Sequence, residues 1–226
     1  MKILGVIFDM DGVILDSEKL YVRFWKQAGR ECGFPWEERH SLAIRSLARP
    51  YAIERLKGFF GESFDYDKVR NRRIELMNAY ISEHGIETKP EAEQTLSTLK
   101  ERGFKIALAT ATMEDKARAY LERAGVLRYF DEVVSAHMVG HGKPEPDIYL
   151  YACEKLSLKP ENCIAVEDSP NGIISAYKAG CVPVMIPDMD EPDEDTIKIV
   201  YKVLRSLNEL IKLTKEMNNG TDNKNN

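Results

Sequence analysis

Short runs of consecutive apolar residues, separated by longer segments with helical periodicity, organise most of the chain. The first run covers residues 3–8, which is long enough for one buried strand but too short for a helix. Further runs cover residues 105–110, 132–135, 163–166 and 182–186. Strands that alternate with helices indicate βαβ units. The pattern therefore predicts an α/β fold with a doubly wound parallel sheet and helices on both faces.

The segment from residue 17 to residue 85 has a different pattern. Apolar residues recur there at helical spacing, and no strand-like run appears. We therefore predict a helical insertion at residues 17–85, after the first strand. The core domain would comprise residues 1–16 and 86–213. The polar segment 214–226 is expected to be a disordered tail.

Composition and charge exclude several classes of protein. The chain has 226 residues and 43% hydrophobic content, enough for a packed core. A net charge of −5 without a block of Lys and Arg argues against a nucleic-acid partner. The first apolar run ends at Asp9, too early for a signal peptide or a membrane span, so we expect a cytoplasmic protein without a membrane partner. The four cysteines lack zinc-like spacing and are expected to be free thiols.

Asp9 and Asp11 follow the first apolar run at its carboxyl end. Residues i and i+2 of a strand point the same way, so both carboxylates should aim at one spot, and Gly12 permits a tight exit. Two crowded carboxylates repel each other unless a cation lies between them or one is protonated. The functional interpretation is a nucleophile beside a general acid/base. The alternative is a pair of turn and cap carboxylates.

Polar residues also follow three later strands, at the sheet edge where α/β proteins bind ligands. Thr110 ends one strand, and Thr112 is expected to cap the next helix, whose first N–H groups could hold an anion. Lys143 lies between Gly and Pro in a segment that should be stiff and extended. A rigidly held ammonium could neutralise the negative charge of a phosphoryl group. The alternative is a solvated side chain, which is usual for a lone lysine in a loop.

Glu167 and Asp168 end the fourth predicted strand and bring the number of carboxylates expected at this edge to four. Four carboxylates beside a single lysine would repel one another, so this arrangement would be unfavourable without a divalent cation. Oxygen ligands with few His or Cys residues nearby favour Mg²⁺ over Zn²⁺.

Together these motifs resemble the haloacid-dehalogenase superfamily of phosphotransferases, and among them the β-phosphoglucomutase-like phosphatases with a small helical cap. The matching pieces are residues 9–18 (DMDGVILDSE), Thr110, residues 143–147 (KPEPD) and residues 167–172 (EDSPNG), in the family's order. The resemblance implies a Rossmann-like core and a mobile cap that closes over the substrate.

The resemblance also implies a role for each matching residue. Asp9 would attack phosphorus and form an aspartyl-phosphate, while Asp11 would serve as general acid and base. Thr110, with Ala111 beside it, and Lys143 would hold the phosphoryl group. The implied Mg²⁺ ligands are the carboxylates of Asp9 and Asp168, the main-chain carbonyl of Asp11 and, directly or through a neighbour, Glu167.

Two arginines of the predicted cap, Arg45 and Arg49, are candidates for contact with the substrate, and a solvated helix face is the alternative. In the sugar-phosphate mutase branch of the family, a histidine near the start of the cap assists the acid/base residue. This chain has Tyr21 at that place, which favours a phosphatase over a mutase.

The sequence therefore predicts a phosphoric monoester hydrolase: a Mg²⁺-dependent phosphatase that acts on a small phosphorylated metabolite, such as a sugar phosphate, through an aspartyl-phosphate. One alternative is a hexose-phosphate mutase of the β-phosphoglucomutase type. Another is a non-catalytic phospho-aspartate signalling domain, against which Asp11 argues. We expect a monomer or a weak dimer.

Overall fold

The computed structural model of the chain describes residues 2–222 apart from residues 46, 48 and 190. The chain divides into two compact units. One unit combines Met1–Asp16 with Glu87–Asn226, and we call it the sheet unit. The other is Ser17–Ile86, which we call the helical unit.

Among the described residues, the sheet unit forms one parallel sheet of six strands in the order β3-β2-β1-β4-β5-β6. The strands are β1 (Gly5–Phe8), β2 (Lys105–Thr110), β3 (Glu132–Ser135), β4 (Cys163–Glu167), β5 (Val182–Met185) and β6 (Lys202–Val203). The order reverses beside β1, as it does in doubly wound folds. The predicted fold class is confirmed. The sequence pattern missed β6, because this edge strand has two exposed residues and no apolar run.

Helices connect the strands and make up the helical unit. In chain order they are α1 (Glu18–Glu31), α2 (Glu38–Leu42), α3 (Arg49–Phe60), α4 (Tyr66–His84), α5 (Ala92–Glu101), α6 (Glu114–Arg123), α7 (Asp147–Leu156), α8 (Pro170–Lys178), α9 (Glu194–Ile199) and α10 (Leu207–Asp222). The first four belong to the helical unit. Within the described part of the chain, no helix has both the length and the apolar character needed to cross a membrane.

The register of the sheet aligns the carboxyl ends of its central strands. Phe8, the last residue of β1, pairs with Leu108 of β2 and with Val166 of β4. All residues of β1 and β4 are buried, as expected for a parallel sheet covered on both faces. The residues that come next, Asp9 and Glu167, therefore lie at one edge of the sheet beside the point where the strand order reverses.

Aromatic side chains fill the interior of the helical unit. Trp25 stacks on Trp36 with ring centroids 5.7 Å apart and ring planes 6° apart. Trp36 is fully buried, and its indole N–H donates to the Ser41 hydroxyl at 2.9 Å. Gly29 of α1 makes room for this ring, because a Cβ at that position would overlap it. The chain has two tryptophans, so tryptophan fluorescence reports on this unit.

The expectation of a disordered tail from residue 214 is wrong for residues 214–222, which continue helix α10. Thr214 is fully buried. Further along, the Asn218 side chain accepts from the Ile3 N–H at 2.8 Å and donates to the Ile3 carbonyl at 3.0 Å. Polar composition alone cannot reveal such a long-range contact. Residues 223–226 lie outside the described residues.

The two ends of the insertion are adjacent within the sheet unit. The Asp16 N–H donates to the Glu87 carbonyl at 2.9 Å. Leu15 and Thr88 form an antiparallel bridge beside this hydrogen bond. The chain thus leaves the sheet unit and returns to it at neighbouring points.

Candidate active site

Asp9 and Lys143 form an ion pair at the carboxyl edge of the sheet. Their side chains are only 11% and 14% exposed. The Lys143 ammonium also donates to the Ala109 carbonyl of β2 at 3.0 Å. Residues that are far apart in the chain therefore meet here. Lys143 is a buried ion-pair partner, not the solvated side chain that is usual for a lone lysine in a loop.

Glu167, the last residue of β4, is the second carboxylate partner of this lysine. Its Oε1 lies 2.5 Å from Lys143 Nζ and accepts from the Tyr149 hydroxyl at 2.6 Å. The Ser169 hydroxyl lies 3.5 Å from Oε2. A Cβ on Gly172 of α8 would overlap the Glu167 carboxylate, so only glycine fits beside it. Glu167 is consequently enclosed, with 1% of its surface exposed.

The turn that carries Lys143 differs from the extended loop predicted for it. The Glu145 N–H donates to the Gly142 carbonyl at 3.0 Å, and Pro146 has helical dihedral angles of φ −75° and ψ −12°. The φ that the proline ring imposes on Pro146 also suits the residue that precedes α7. The segment therefore forms a turn where an extended backbone was predicted, and from this turn Lys143 reaches Asp9.

Three carboxylates at this edge could hold a metal ion. One oxygen each from Asp9, Glu167 and Asp168 lies within 4.8 Å of the others, and all three residues are buried. Burial raises the pKa of Asp9 to about 8 despite the opposing charge of Lys143, and the carboxylates of Glu167 and Asp11 add to the rise. This excess of negative charge is what a divalent cation would offset, and all the donors are hard oxygen atoms. The residues therefore fit Mg²⁺.

Lys143 keeps its proton in this environment. Burial alone would lower its pKa, but the carboxylates of Asp9 and Glu167 outweigh that effect and raise the pKa above the ordinary value of 10.5. A permanently charged ammonium is thus fixed beside the candidate nucleophile, where it can contact an anionic group.

Asp11 faces the end of β2. The Thr112 hydroxyl donates to its Oδ2 at 3.5 Å. The prediction that Thr112 caps α6 is wrong, because the helix begins at Glu114 with Met113 as its N-cap residue. The Thr112 N–H instead donates to the Thr110 hydroxyl at 3.1 Å. This tight turn leaves the Thr112 hydroxyl free of the helix and directed toward Asp11.

Thr110 and Ala111 end β2 at the same edge of the sheet. Thr110 is fully buried, and its hydroxyl oxygen accepts the hydrogen bond of the turn just described. Ala111 is exposed. Their expected contacts with a phosphoryl group stay predictions.

Arg45 and Arg49 lie in the helical unit, where each forms an ion pair. Arg45 Nε lies 3.1 Å from Glu18 Oε2, and both side chains are largely buried. Arg49 donates to both carboxylate oxygens of Asp67, at 2.7 and 2.6 Å, and this pair is exposed. The roles proposed for these arginines in substrate binding stay predictions.

Two further residues lie near the carboxylates: Tyr149, which the sequence does not mark as a site residue, and Asp188, whose acidic run 188–195 we interpret from sequence as a solvated loop rather than a cation site. Tyr149 contacts Glu167, but in sequence it is one more apolar position of an amphipathic helix. Asp188 accepts from Lys89 Nζ at 2.7 Å in the loop after β5. A Cβ on Gly12, whose φ is +81°, would overlap Asp168 and lie 3.4 Å from Asp188 Oδ2. Gly12 is therefore required both for its conformation and for this close approach.

Comparison with known proteins agrees with this arrangement. A family model for haloacid dehalogenase-like hydrolases matches residues 3–180. Hexitol phosphatase A of Escherichia coli is 34% identical over 224 residues, 96% of this chain and 97% of that protein. The phosphorylated carbohydrates phosphatase of Thermotoga maritima is 30% identical over 205 residues, 91% of this chain and 87% of that protein.

Solved structures have the same fold. The crystal structure of β-phosphoglucomutase from Clostridium difficile superposes with a TM-score of 0.75 at 25% identity, covering 97% of this chain and 98% of that one. The family match includes the aspartates after β1, the lysine turn before α7 and the acidic pair at the end of β4. On this evidence, the chain belongs to the haloacid dehalogenase-like hydrolase family.

Proposed function

We propose that this protein is a Mg²⁺-dependent phosphatase that hydrolyses a small phosphorylated sugar or polyol through an aspartyl-phosphate on Asp9. The observation that carries the proposal is the buried meeting of Asp9 with Lys143, beside Glu167 and Asp168. The relatives named as phosphatases of phosphorylated carbohydrates and of hexitols support this choice of substrate class.

In the first half of the reaction, the Asp9 carboxylate attacks phosphorus. A bond forms between its oxygen and phosphorus, and the bond between phosphorus and the substrate's ester oxygen breaks. Asp11 gives its proton to the departing alcohol. The Thr112 hydroxyl, 3.5 Å from Asp11 Oδ2, helps to orient that carboxyl group.

In the second half, Asp11 takes a proton from a water molecule, whose oxygen attacks the aspartyl-phosphate. The bond between Asp9 and phosphorus breaks, and inorganic phosphate leaves. Lys143 stays charged throughout and offsets the negative charge on the phosphoryl oxygens. Mg²⁺ held by Asp9, Asp168 and the Asp11 carbonyl would supply further positive charge and so allow an anionic substrate to approach the carboxylates.

The experiment is a screen for phosphate release from a panel of sugar and polyol monophosphates, with Mg²⁺ and with a chelator. We expect release with Mg²⁺ and none with the chelator. Asp9→Asn should lower turnover by about four orders of magnitude or more, because the nucleophile is lost. The matched control is Asp195→Asn, which alters a carboxylate that is 89% exposed on α9 and should leave turnover unchanged. An active Asp9→Asn variant would contradict the role of Asp9.

A hexose-phosphate mutase is the second candidate, favoured by the likeness to β-phosphoglucomutase. The two activities share the aspartyl-phosphate and differ in whether water or a sugar hydroxyl accepts the phosphoryl group. Incubation with a hexose 1-phosphate and a bisphosphate primer distinguishes them. Formation of isomerised sugar phosphate without release of inorganic phosphate would identify the activity as that of a mutase and contradict the proposed phosphatase. A phosphoaspartate that persists for hours without turnover would instead indicate a signalling domain.

A further inference from the structure

We propose that Tyr149 is a positioning residue that holds Lys143 and Glu167 in place for phosphoryl transfer. Tyr149 is the third residue of α7 and is fully buried. The proposal rests on the phosphatase function described above, and it assigns a task to a side chain that takes no part in the bond-forming and bond-breaking steps.

The first observation is the hydrogen bond from the Tyr149 hydroxyl to Glu167 Oε1, at 2.6 Å. The same oxygen lies 2.5 Å from Lys143 Nζ. One carboxylate oxygen therefore joins the phenol to the ammonium. Burial, together with the negative charge of Glu167, raises the pKa of Tyr149 well above its ordinary value.

The second observation is independent of that hydrogen bond. Lys143 Nζ lies 5.4 Å from the centroid of the Tyr149 ring, within the range of a cation–π interaction. Tyr149 therefore acts on Lys143 in two ways, through its ring face and through the carboxylate that its hydroxyl holds.

The third observation concerns the donors of Lys143. An ammonium has three N–H groups, and here the acceptors are Asp9, the Ala109 carbonyl and Glu167. To bind a phosphoryl oxygen, the ammonium must keep its position while it redirects at least one of these bonds. Without the phenol, Glu167 would lose one of its two strong donors and turn within its cavity, and Lys143 would shift with it.

The test compares three variants by steady-state kinetics. Tyr149→Phe keeps the ring and removes the hydroxyl, so kcat should fall by about tenfold, the size expected for one hydrogen bond to a charged group. Tyr149→Leu removes the ring as well, and kcat should fall by about 100-fold, because misplacement of a charged group by roughly 1 Å has effects of this order. KM should change less than kcat in both variants.

The matched control is Tyr151→Phe on the same helix. Lys155 Nζ lies 5.4 Å from the Tyr151 ring centroid, the same distance as in the buried pair, but Tyr151 is only partly buried. We expect Tyr151→Phe to leave kcat unchanged. Equal kcat values for wild type and Tyr149→Phe, or equal losses in Tyr149→Phe and Tyr151→Phe, would overturn the proposal.

A second readout does not depend on turnover. Metal-free protein is labelled with an amine-reactive reagent, and modification of Lys143 is compared by peptide mass spectrometry with that of Lys105, whose Nζ donates to the Leu156 carbonyl at 2.5 Å. Tyr149→Phe should raise labelling of Lys143 severalfold relative to Lys105. If Tyr149→Phe raises the labelling of Lys143 and Lys105 by the same factor, the substitution has destabilised the fold as a whole, and the positioning role is refuted. If wild-type protein releases no phosphate, the proposed function fails and the labelling ratio alone decides where Tyr149 acts.

Discussion

The sheet unit and the helical unit use charged side chains in opposite ways. In the sheet unit, Lys143 pairs with Asp9 and Glu167 in a buried cluster. In the helical unit, pairs such as Arg49 with Asp67 lie at the surface, while the interior is built from aromatic rings. Removing charges from water costs several kcal/mol per ion. The buried cluster at the sheet edge therefore supports the proposed active site there, whereas exposed ion pairs contribute little to stability.

The described part of the helical unit also contains buried charged side chains, among them Arg73, which lies over the Trp25 ring. Arg45 and Glu18 form a pair whose side chains are 7% and 15% exposed. By the same reasoning, Arg45 is a better candidate than Arg49 for a functional arginine of this unit.

The largest contrast is expected between Lys143→Met and Arg49→Met. Lys143→Met leaves two buried carboxylates without their counter-charge, so phosphate release should fall by about three orders of magnitude and the metal-free protein should lose about 3 kcal/mol of unfolding free energy. Arg49→Met breaks an exposed pair and should change that free energy by less than about 1 kcal/mol. Phosphate assays and calorimetric unfolding measure both effects. Equal changes in stability for the two variants would remove the distinction between buried and surface charge.

Glycine substitutions should separate the two units. Gly172→Ala places a methyl group against the Glu167 carboxylate, so activity should fall while the unfolding midpoint of the helical unit, followed by tryptophan fluorescence, stays the same. Gly29→Ala places it against the Trp36 ring and should lower the stability of the helical unit by about 1–3 kcal/mol. Gly58→Ala on α3 is the control, because the space there is open; it should stabilise the helix by about 0.5–1 kcal/mol. A shifted fluorescence midpoint in Gly172→Ala would show that a change in the sheet unit also alters the stability of the helical unit.

The smallest expected effect is acid sensitivity of the helical unit. His40 Nδ1 accepts the Glu37 N–H at 3.0 Å and must be unprotonated to do so. Burial, with Arg39 adding to it, lowers the pKa of His40 below the ordinary value of 6.5. The unfolded chain therefore binds a proton first, and the stabilisation present above pH 6.5 is lost as the pH falls toward the pKa of the folded state.

Urea unfolding followed by tryptophan fluorescence measures this loss, whose slope cannot exceed about 1.4 kcal/mol per pH unit for one proton. His40→Gln should flatten the dependence below pH 6.5. His84→Gln, at a side chain that is 50% exposed, should leave it unchanged. Identical slopes in wild type and His40→Gln would show that other groups cause the acid sensitivity.

Much of the sheet could be predicted from the sequence, because a strand buried on both faces of a parallel sheet usually has an unbroken run of apolar residues. Strands β1, β2, β4 and β5 have such a run, β3 has only the two consecutive residues Val133 and Val134, and β6 has none. The C-terminal half of α10 could not be predicted, since its order depends on contacts such as that of Asn218 with Ile3 at the other end of the chain. Local composition carries no information about a partner more than 200 residues away.

The candidate site was predictable to the extent that backbone topology creates it. The carboxyl ends of the strands in a doubly wound sheet lie at one edge, so the sequence alone places Asp9 and Glu167 close together. Side-chain choices could not be foreseen. Thr112 resembled a helix cap and instead contacts Asp11, and Tyr149 resembled a core residue and instead holds Glu167. A hydroxyl group hidden on an apolar helix face gives no periodic signal.

The bridge between Leu15 and Thr88 has a consequence for how such proteins diversify. Because both ends of the insertion are pinned together by the sheet unit's own backbone, Asp16 and Glu87 could be joined by a two-residue turn to make a β-hairpin. The helical segment is then a replaceable insertion. A longer, shorter or unrelated segment could be inserted at the same point without altering the strands of the sheet.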